Sequence, residues 1–196
     1  MQVKKAEVRV AILDSAFALF SEQGYARTTQ AQIANRAGVA ASSLYVYFDS
    51  KLDILFAVYR PWLMTRFDEL EARMTGISAP RERLETILYA IWRDIPREDN
   101  GFVNNLVQAI SNLGARDNYS RELLDDCETR ISIMIASCIP EDRADLVDDR
   151  NLLAHILFMA QDGFAISYKI NGESKRMDAM VAAMSDMLLG YNHPAG

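Results

Sequence analysis

The chain has 196 residues, 50% of them hydrophobic and 24% charged, a composition that gives a globular core and excludes a disordered tail. No apolar run reaches the roughly 20 residues of a membrane span, and the opening MQVKKAEVRV lacks the apolar stretch of a signal peptide, so a cytoplasmic protein is expected. The net charge of −6 is unevenly spread: residues 1–51 hold six basic side chains (Lys4, Lys5, Arg9, Arg27, Arg36, Lys51) against four acidic ones (Glu7, Asp14, Glu22, Asp49), and the remainder is acidic.

In chain order, nearly every apolar stretch has helical spacing, and the fold class expected is all-α with about nine helices. The first helix is predicted over about 6–23, with Val8, Ile12, Ala16, Leu19 and Phe20 on one face and Gly24 as its stop. A short second helix starts at Thr29, where Gln32 three residues on completes a capping box, and it ends at Gly38. A third short helix covers Ala41 to Tyr47. From Lys51 the helices lengthen: one over 51–74, interrupted near Pro61, then apolar-periodic segments separated at Gly76–Pro80, Pro96–Asn100, Gly114–Asn118, Pro140 and Asn171–Glu173. The change in helix length and charge places a boundary near residue 50, giving a 1–50 domain and a 51–196 domain, with the fourth helix shared between the two parts.

Cys127 and Cys138 fall eleven residues apart on one predicted helix, so ~16 Å separates them and they cannot pair there. With His155 and His193 as the chain's histidines, no zinc spacing is spelled out. No G-x-S-x-G, phosphate loop or H-E-x-x-H occurs either, so neither an enzyme nor a cofactor is expected.

The stretch QAQIANRAGVAASSLYVYF from Gln30 puts Ile33, Ala34, Ala37, Gly38, Val39 and Leu44 where a helix-turn-helix needs them. Two short helices crossing closely want a small residue such as Ala34 at the crossing and Gly38 at the turn. On these six positions alone, an ordinary helical hairpin is a rival. The wider stretch ILDSAFALFSEQGYARTTQAQIANRAGVAASSLYVYFDSKLDILFAV, Ile12 to Val58, resembles the DNA-binding domain of the tetracycline-repressor (TetR) family. The resemblance rests on "LFSEQGY…TT", "IANRAGV" and "LYVYFDSKLDIL".

That resemblance implies that Ala41 to Tyr47 is the recognition helix, with Tyr47 and Lys51 near DNA phosphates. Thr28 and Thr29 would bring a hydroxyl and a helix N-terminus to the same backbone. Position 41 is Ala and position 46 is Val, where family members often carry a basic residue, so Arg or Lys reading of guanine is not available there. Ser42, Ser43 and Tyr45 remain as hydrogen-bonding groups, and Ala40 or Ala41 for a thymine methyl. Lys4, Lys5 and Arg9 read equally as a solvated terminus or a DNA-contacting arm.

In the acidic body, Met177, Met180, Val181, Met184, Met187, Leu188 and Tyr191 form one apolar stripe, and Leu152 to Ile170 is apolar nearly all round. Ile156, Ala160 and Gly163 of the latter, with the stripe, are expected at a dimer interface, as the family's four-helix interface implies. Trp62, Tyr89, Trp92, Phe102, Met134, Phe158 and Met159 are candidates for lining a ligand cavity, with Asn105, Gln108, His155 or Asp162 supplying polarity.

The expected protein is a homodimer that binds a pseudo-palindromic double-stranded operator, represses, and is released by a largely apolar small molecule, with no membrane partner. Two rivals stand beside it: a DNA-binding regulator without an effector, and a helical enzyme or interaction module whose helix-turn-helix likeness is accidental.

Overall fold

The computed structural model describes residues 2–98, 101–111, 122–147 and 151–191. The expected break at 114–118, His193 and the side chain of Lys4 lie outside the described residues. All regular structure among the described residues is helical: α1 (Gln2–Gln23), α2 (Gln30–Arg36), α3 (Ala41–Leu44), α4 (Lys51–Met74), α5 (Pro80–Tyr89), α6 (Ile95–Glu98), α7 (Phe102–Ile110), α8 (Glu122–Ala136), α9 (Leu152–Asn171) and α10 (Met177–Leu189). A π-turn (Ala90–Asp94) joins α5 to α6, and a 3-10 turn (Glu141–Leu146) follows α8. No helix among the described residues is long and apolar enough to cross a membrane.

Packing divides the chain into two compact units, Met1–Leu63 with Asn100–Leu123, and Met64–Asp99 with Leu124–Gly196. The division therefore does not fall at residue 50, where charge and helix length change. It falls inside α4, the helix that the two parts were expected to share: Tyr59 of α4 meets Phe17 of α1 and Phe102 of α7, and α7 joins the same unit from far along the chain.

In the first unit, Ile12, Ala16, Leu19 and Phe20 recur at helical spacing on α1 and are buried, as are Ile33 and Ala34 of α2 and Leu44 of α3. Gly24 ends α1 with φ +80, a left-handed turn that costs a residue without Cβ little. Tyr59 of α4 is the hub of an aromatic cluster: its ring lies 4.9 Å from Phe102 and 6.1 Å from Phe17. Each such pair adds about 0.5–1.5 kcal/mol to the burial of its rings. Helix α4 runs on through Pro61, so of the bend or restart expected there, no restart occurs.

In the second unit, α9 packs on the π-turn and α6, and α10 packs on α5. The break expected at Pro96–Asn100 is met where α6 ends at Glu98, though Pro96 itself is buried inside α6. Proline has no N–H to give the carbonyl four residues back, and its ring crowds that carbonyl. The turn just before it is widened, with Ile95 N–H bonded to Ala90 O, which lets the helix pass. The buried stripe of α9 is Ala154, Leu157, Phe158, Gln161 and Ala165. Cys127 and Cys138 are free and buried in α8 and just beyond it.

Candidate nucleic-acid interface

The helix-turn-helix is built from local signals that the sequence carries openly. Thr29 caps α2: Gln32 N–H donates to Thr29 Oγ1 at 3.2 Å, and Thr29 N–H donates to Gln32 Oε1 at 2.8 Å. Such a box satisfies two helix-end amides at once. At the crossing, Ala34 is 1% exposed and Gly38 takes φ +69. Val39 N–H then returns to Ala34 O at 3.0 Å, which sets the turn between α2 and α3.

The recognition element is shorter than expected. Helix α3 closes at Leu44, and residues 45–47 continue as a tighter turn in which Val46 N–H bonds to Ser43 O and Tyr47 N–H to Leu44 O. Ala40, Ala41 and Ser42 are exposed, Ser43 and Tyr47 half-buried. Tyr45 is 62% exposed and Val46 67%, both without core contacts to justify an apolar residue there. Tyr45 OH donates to Gln30 Oε1 at 3.3 Å, so Gln30 stands beside the same surface. Gln30 and Val46 are absent from the sequence-based set. Gln30 lies inside the Thr29–Gln32 box without being part of it, and Val46 stands where the family often has a basic residue.

Two expected phosphate contacts are placed differently. Thr28 is fully buried; its hydroxyl donates to Gly24 O at 2.9 Å and accepts from Gln23 Nε2 at 3.2 Å, so it is not offered to a ligand. Lys51 turns inward: its Nζ donates to Tyr25 O at 2.9 Å and Thr28 O at 2.8 Å, 4.0 Å above the Tyr25 ring. Partial burial holds its pKa below the usual lysine value. Of the other cations, Arg9 lies 5.4 Å over the Phe48 ring and Arg36 pairs with Glu22 at 2.7 Å, while Lys5 and Arg27 are exposed. Thr29 keeps an exposed position at the start of α2.

The expected dimer residues divide by face. Ile156 is 61% and Met187 68% exposed, and Gly163 is exposed, whereas Ala160, Met180 and Met184 are half-buried. Met177, Val181 and Leu188 are instead core residues at 5%, 1% and 6%, because that side of α10 packs on α5. The outward face of α9 adds Leu152, Met159, Ile166 and Ile170, at helical spacing with Ile156 and Gly163. The all-round apolar character of this helix was the signal for them.

The expected cavity residues fall in both units. Trp62, Phe102, Asn105 and Gln108 belong to the first unit; Tyr89, Trp92, Met134, Phe158 and Asp162 to the second. Asn105 and Gln108 accept hydrogen bonds from the backbone of the turn between α1 and α2, and Phe102 packs on Tyr59. Trp92, Met134 and Phe158 are buried core; Trp92 stacks on Phe164 at 5.1 Å and donates from Nε1 to Leu157 O. Tyr89 OH donates to Asp178 at 2.9 Å, and His155 Nδ1 meets Glu128 at 2.7 Å. Near Trp92, where α9 meets the π-turn, Gln161 is 5% exposed with its Oε1 unpartnered among the described residues. Its neighbour Asp162 has its carboxyl held above the usual range by burial. Open grooves lie elsewhere: about 920 Å³ beside Arg143, Ala183, Asp186 and Met187, and about 640 Å³ beside Arg9, Phe48, Asp53 and Arg60. Among the described residues no cluster of His, Cys, Asp or Glu is arranged to hold a metal.

Comparison with known proteins agrees with this geometry. The family model described as "Bacterial regulatory proteins, tetR family" matches residues 12–58. The HTH-type transcriptional regulator HbdR of Aromatoleum sp. is 36% identical over 133 residues, 68% of this chain and 56% of that protein. The chain thus spans about half the length of the first curated relatives it matches. A transcriptional regulator of the TetR/AcrR family from Thermobifida fusca is 26% identical with a TM-score of 0.57, over 94% of this chain and 98% of that one. The regulator FadR of Bacillus subtilis, in complex with stearoyl-CoA, shares the fold with a TM-score of 0.56 at 19% identity, over 94% and 99% of the two chains. With a capped helix-turn-helix inside the matched segment and a regulator fold along most of its length, the chain belongs to the TetR family of bacterial regulatory proteins.

Proposed function

We propose that the protein is a dimeric transcription regulator that represses from a pseudo-palindromic operator and is released by a small molecule. The observation that carries the reading is the capped helix-turn-helix whose outer face, Ala40, Ala41, Ser42, Tyr45 and Val46, is exposed and has no packing role. Such a face fits a major groove, and its residues read base edges through hydroxyls and methyl contacts rather than through arginine. Thr29, Lys5 and Arg27 are the groups placed for phosphates. The outward stripe of α9 with Met187 of α10 is a row of large exposed apolar side chains, and a second copy is its proposed occupant.

For the effector, the proposed site lies in the second unit beside Trp92, where Gln161 Oε1 and Asp162 supply polarity among aromatic surfaces. Two relatives of this fold hold ligands, stearoyl-CoA in one and choline in another. The close packing of Trp92, Met134 and Phe158 favours the rival in which no small molecule acts. A ligand search read by tryptophan fluorescence separates the two.

The test of the main reading is genomic selection of bound DNA by the full chain, followed by titration of the enriched sequence at several salt concentrations. Sequence-specific binding that weakens steeply with salt is expected, since phosphate contacts release counterions. No specific binding to any selected sequence at low salt would sink it.

A further inference from the structure

The segment Gly24–Thr28 delivers the chain from α1 to the cap of α2, and so sets where the helix-turn-helix stands. Within it Gly24 N–H returns to Phe20 O at 3.0 Å, Thr28 N–H to Tyr25 O at 3.2 Å, and the Thr28 hydroxyl donates to Gly24 O at 2.9 Å. The next two amides reach across to α7. Tyr25 N–H donates to Asn105 Oδ1 at 2.8 Å, and Ala26 N–H to Gln108 Oε1 at 3.0 Å. Asn105 and Gln108 stand three residues apart on α7, hence on one helix face. Asn105 is 2% exposed, and its Nδ2 donates to Tyr59 OH at 3.1 Å, which fixes the amide's orientation. Gln108 lies over the bare face of Gly24, where an added Cβ would come within 2.8 Å of its Oε1. From the opposite chemistry, Lys51 holds the carbonyls of Tyr25 and Thr28.

We infer that Asn105 and Gln108 are positioning residues of the DNA-binding surface, a two-point clamp that fixes the turn between α1 and α2 from 80 residues downstream. The inference rests on the DNA-binding role proposed above. A buried amide without an acceptor is costly, so the clamp selects one arrangement of the turn over alternatives that leave Tyr25 N–H unpaired. Hydrogen bonds weaken steeply beyond about 3.2 Å, so a shift of α7 by about an ångström breaks both. Whatever displaces α7 then changes operator affinity without touching the recognition surface.

The test uses the full chain and measures, for each variant, operator affinity, deuterium uptake over residues 24–28, and thermal unfolding. Asn105→Ala is expected to weaken the selected operator about tenfold or more and to speed exchange at 24–28, with helical content and oligomeric state unchanged. Gln108→Ala, at a more exposed site, gives a smaller loss of a few-fold. Asn105→Asp keeps an acceptor for Tyr25 N–H and restores protection there. Asn104→Ala, exposed on the same helix, changes nothing. If Asn105→Ala proves too unstable to measure, Gln108→Ala decides. Unchanged exchange at 24–28 in both alanine variants overturns the clamp. So does faster exchange with unaltered operator affinity. A wild-type chain that binds no DNA overturns the regulator reading instead, and the exchange measurement still judges the clamp.

Discussion

In the first unit Thr28 and Asn105, both sealed from solvent, hold two hydrogen bonds each inside the unit. In the second, Gln161 Oε1 and Ser185 Oγ are sealed as well and have no partner among the described residues, and in the first Gln30 Nε2 is in the same state. The outer surfaces differ more clearly. The first unit exposes Val10, Phe17, Tyr45, Val46, Val107 and Ile110, scattered over α1, the turn after α3 and α7, whereas the second exposes a run of large ones along α9, from Leu152 to Ile170. Polar groups left unanswered and apolar faces left uncovered are both unfavourable in an isolated body. The contrast teaches that the first unit's exposed apolar groups are scattered, while those of the second are gathered on one helix face, the face proposed above for a second copy.

The largest effects come from testing the two sides of the second unit against each other. Val181→Glu puts a charge where 1% of the residue is exposed and is expected to cost roughly 4 kcal/mol or more, unfolding the second unit in thermal melts. Ile156→Glu with Met187→Glu, on the outward side, leaves the folded monomer intact and weakens self-association at least about a hundredfold by sedimentation, because paired copies would bury those charges. A dimer unchanged by the double substitution would place the interface elsewhere and weaken the contrast drawn above.

Next in size is Lys51, the cation that the first unit keeps for itself. Lys51→Met removes two charge-assisted bonds to turn carbonyls and should lower stability by about 1–2 kcal/mol in denaturant titration. The salt slope of DNA binding should stay as it was. Arg27→Ala, on an exposed cation, should leave stability alone and reduce that slope by about one. The opposite pattern would mean that Lys51 faces phosphate after all.

Smaller effects probe each unit in turn. Uracil in place of thymine removes a single methyl, and where Val46 touches that methyl the loss is about fourfold, from about 0.8 kcal/mol per buried carbon. Val46→Ser should erase the difference between the two bases at that position. In the second unit, burial holds the Asp162 carboxyl above its ordinary pKa. A raised folded pKa favours the native state below the unfolded pKa, and that advantage is lost as pH rises through the folded value. Asp162→Asn is therefore expected to raise Tm by a few degrees at pH 7, with the gain fading as pH falls toward about 4.

How far the sequence foretold this depends on the range of the interactions involved. The Thr29–Gln32 box, Ala34 at the crossing and Gly38 at the turn are written within ten residues, and each is found in place. The fate of Lys51 was not legible, since its partners Tyr25 and Thr28 are more than twenty residues away and backbone carbonyls carry no sequence signature. Asn105 and Gln108 read as polar groups among apolar ones, which fits a ligand site as well as a clamp. On α10 the apolar positions cover more than one side, so periodicity could not say that Val181 and Leu188 face in while Met187 faces out. The break at Pro96–Asn100 was legible, but not that Pro96 itself lies inside α6 behind a widened turn, which the sequence does not announce.

The first unit's being assembled from two distant stretches also bears on the order of events at the ribosome. The helix-turn-helix is synthesised early, yet the groups that seal the Tyr25 and Ala26 amides arrive only with α7, after the stretch from Met64 to Asp99 has been made. At ~5–20 residues per second that delay lasts several seconds. Throughout it the nascent N-terminal segment has its local contacts between α1 and α2 and between α2 and α3 but lacks the two bonds from α7 to the turn. Under the clamp proposed above, that turn takes its fixed setting only once α7 has emerged.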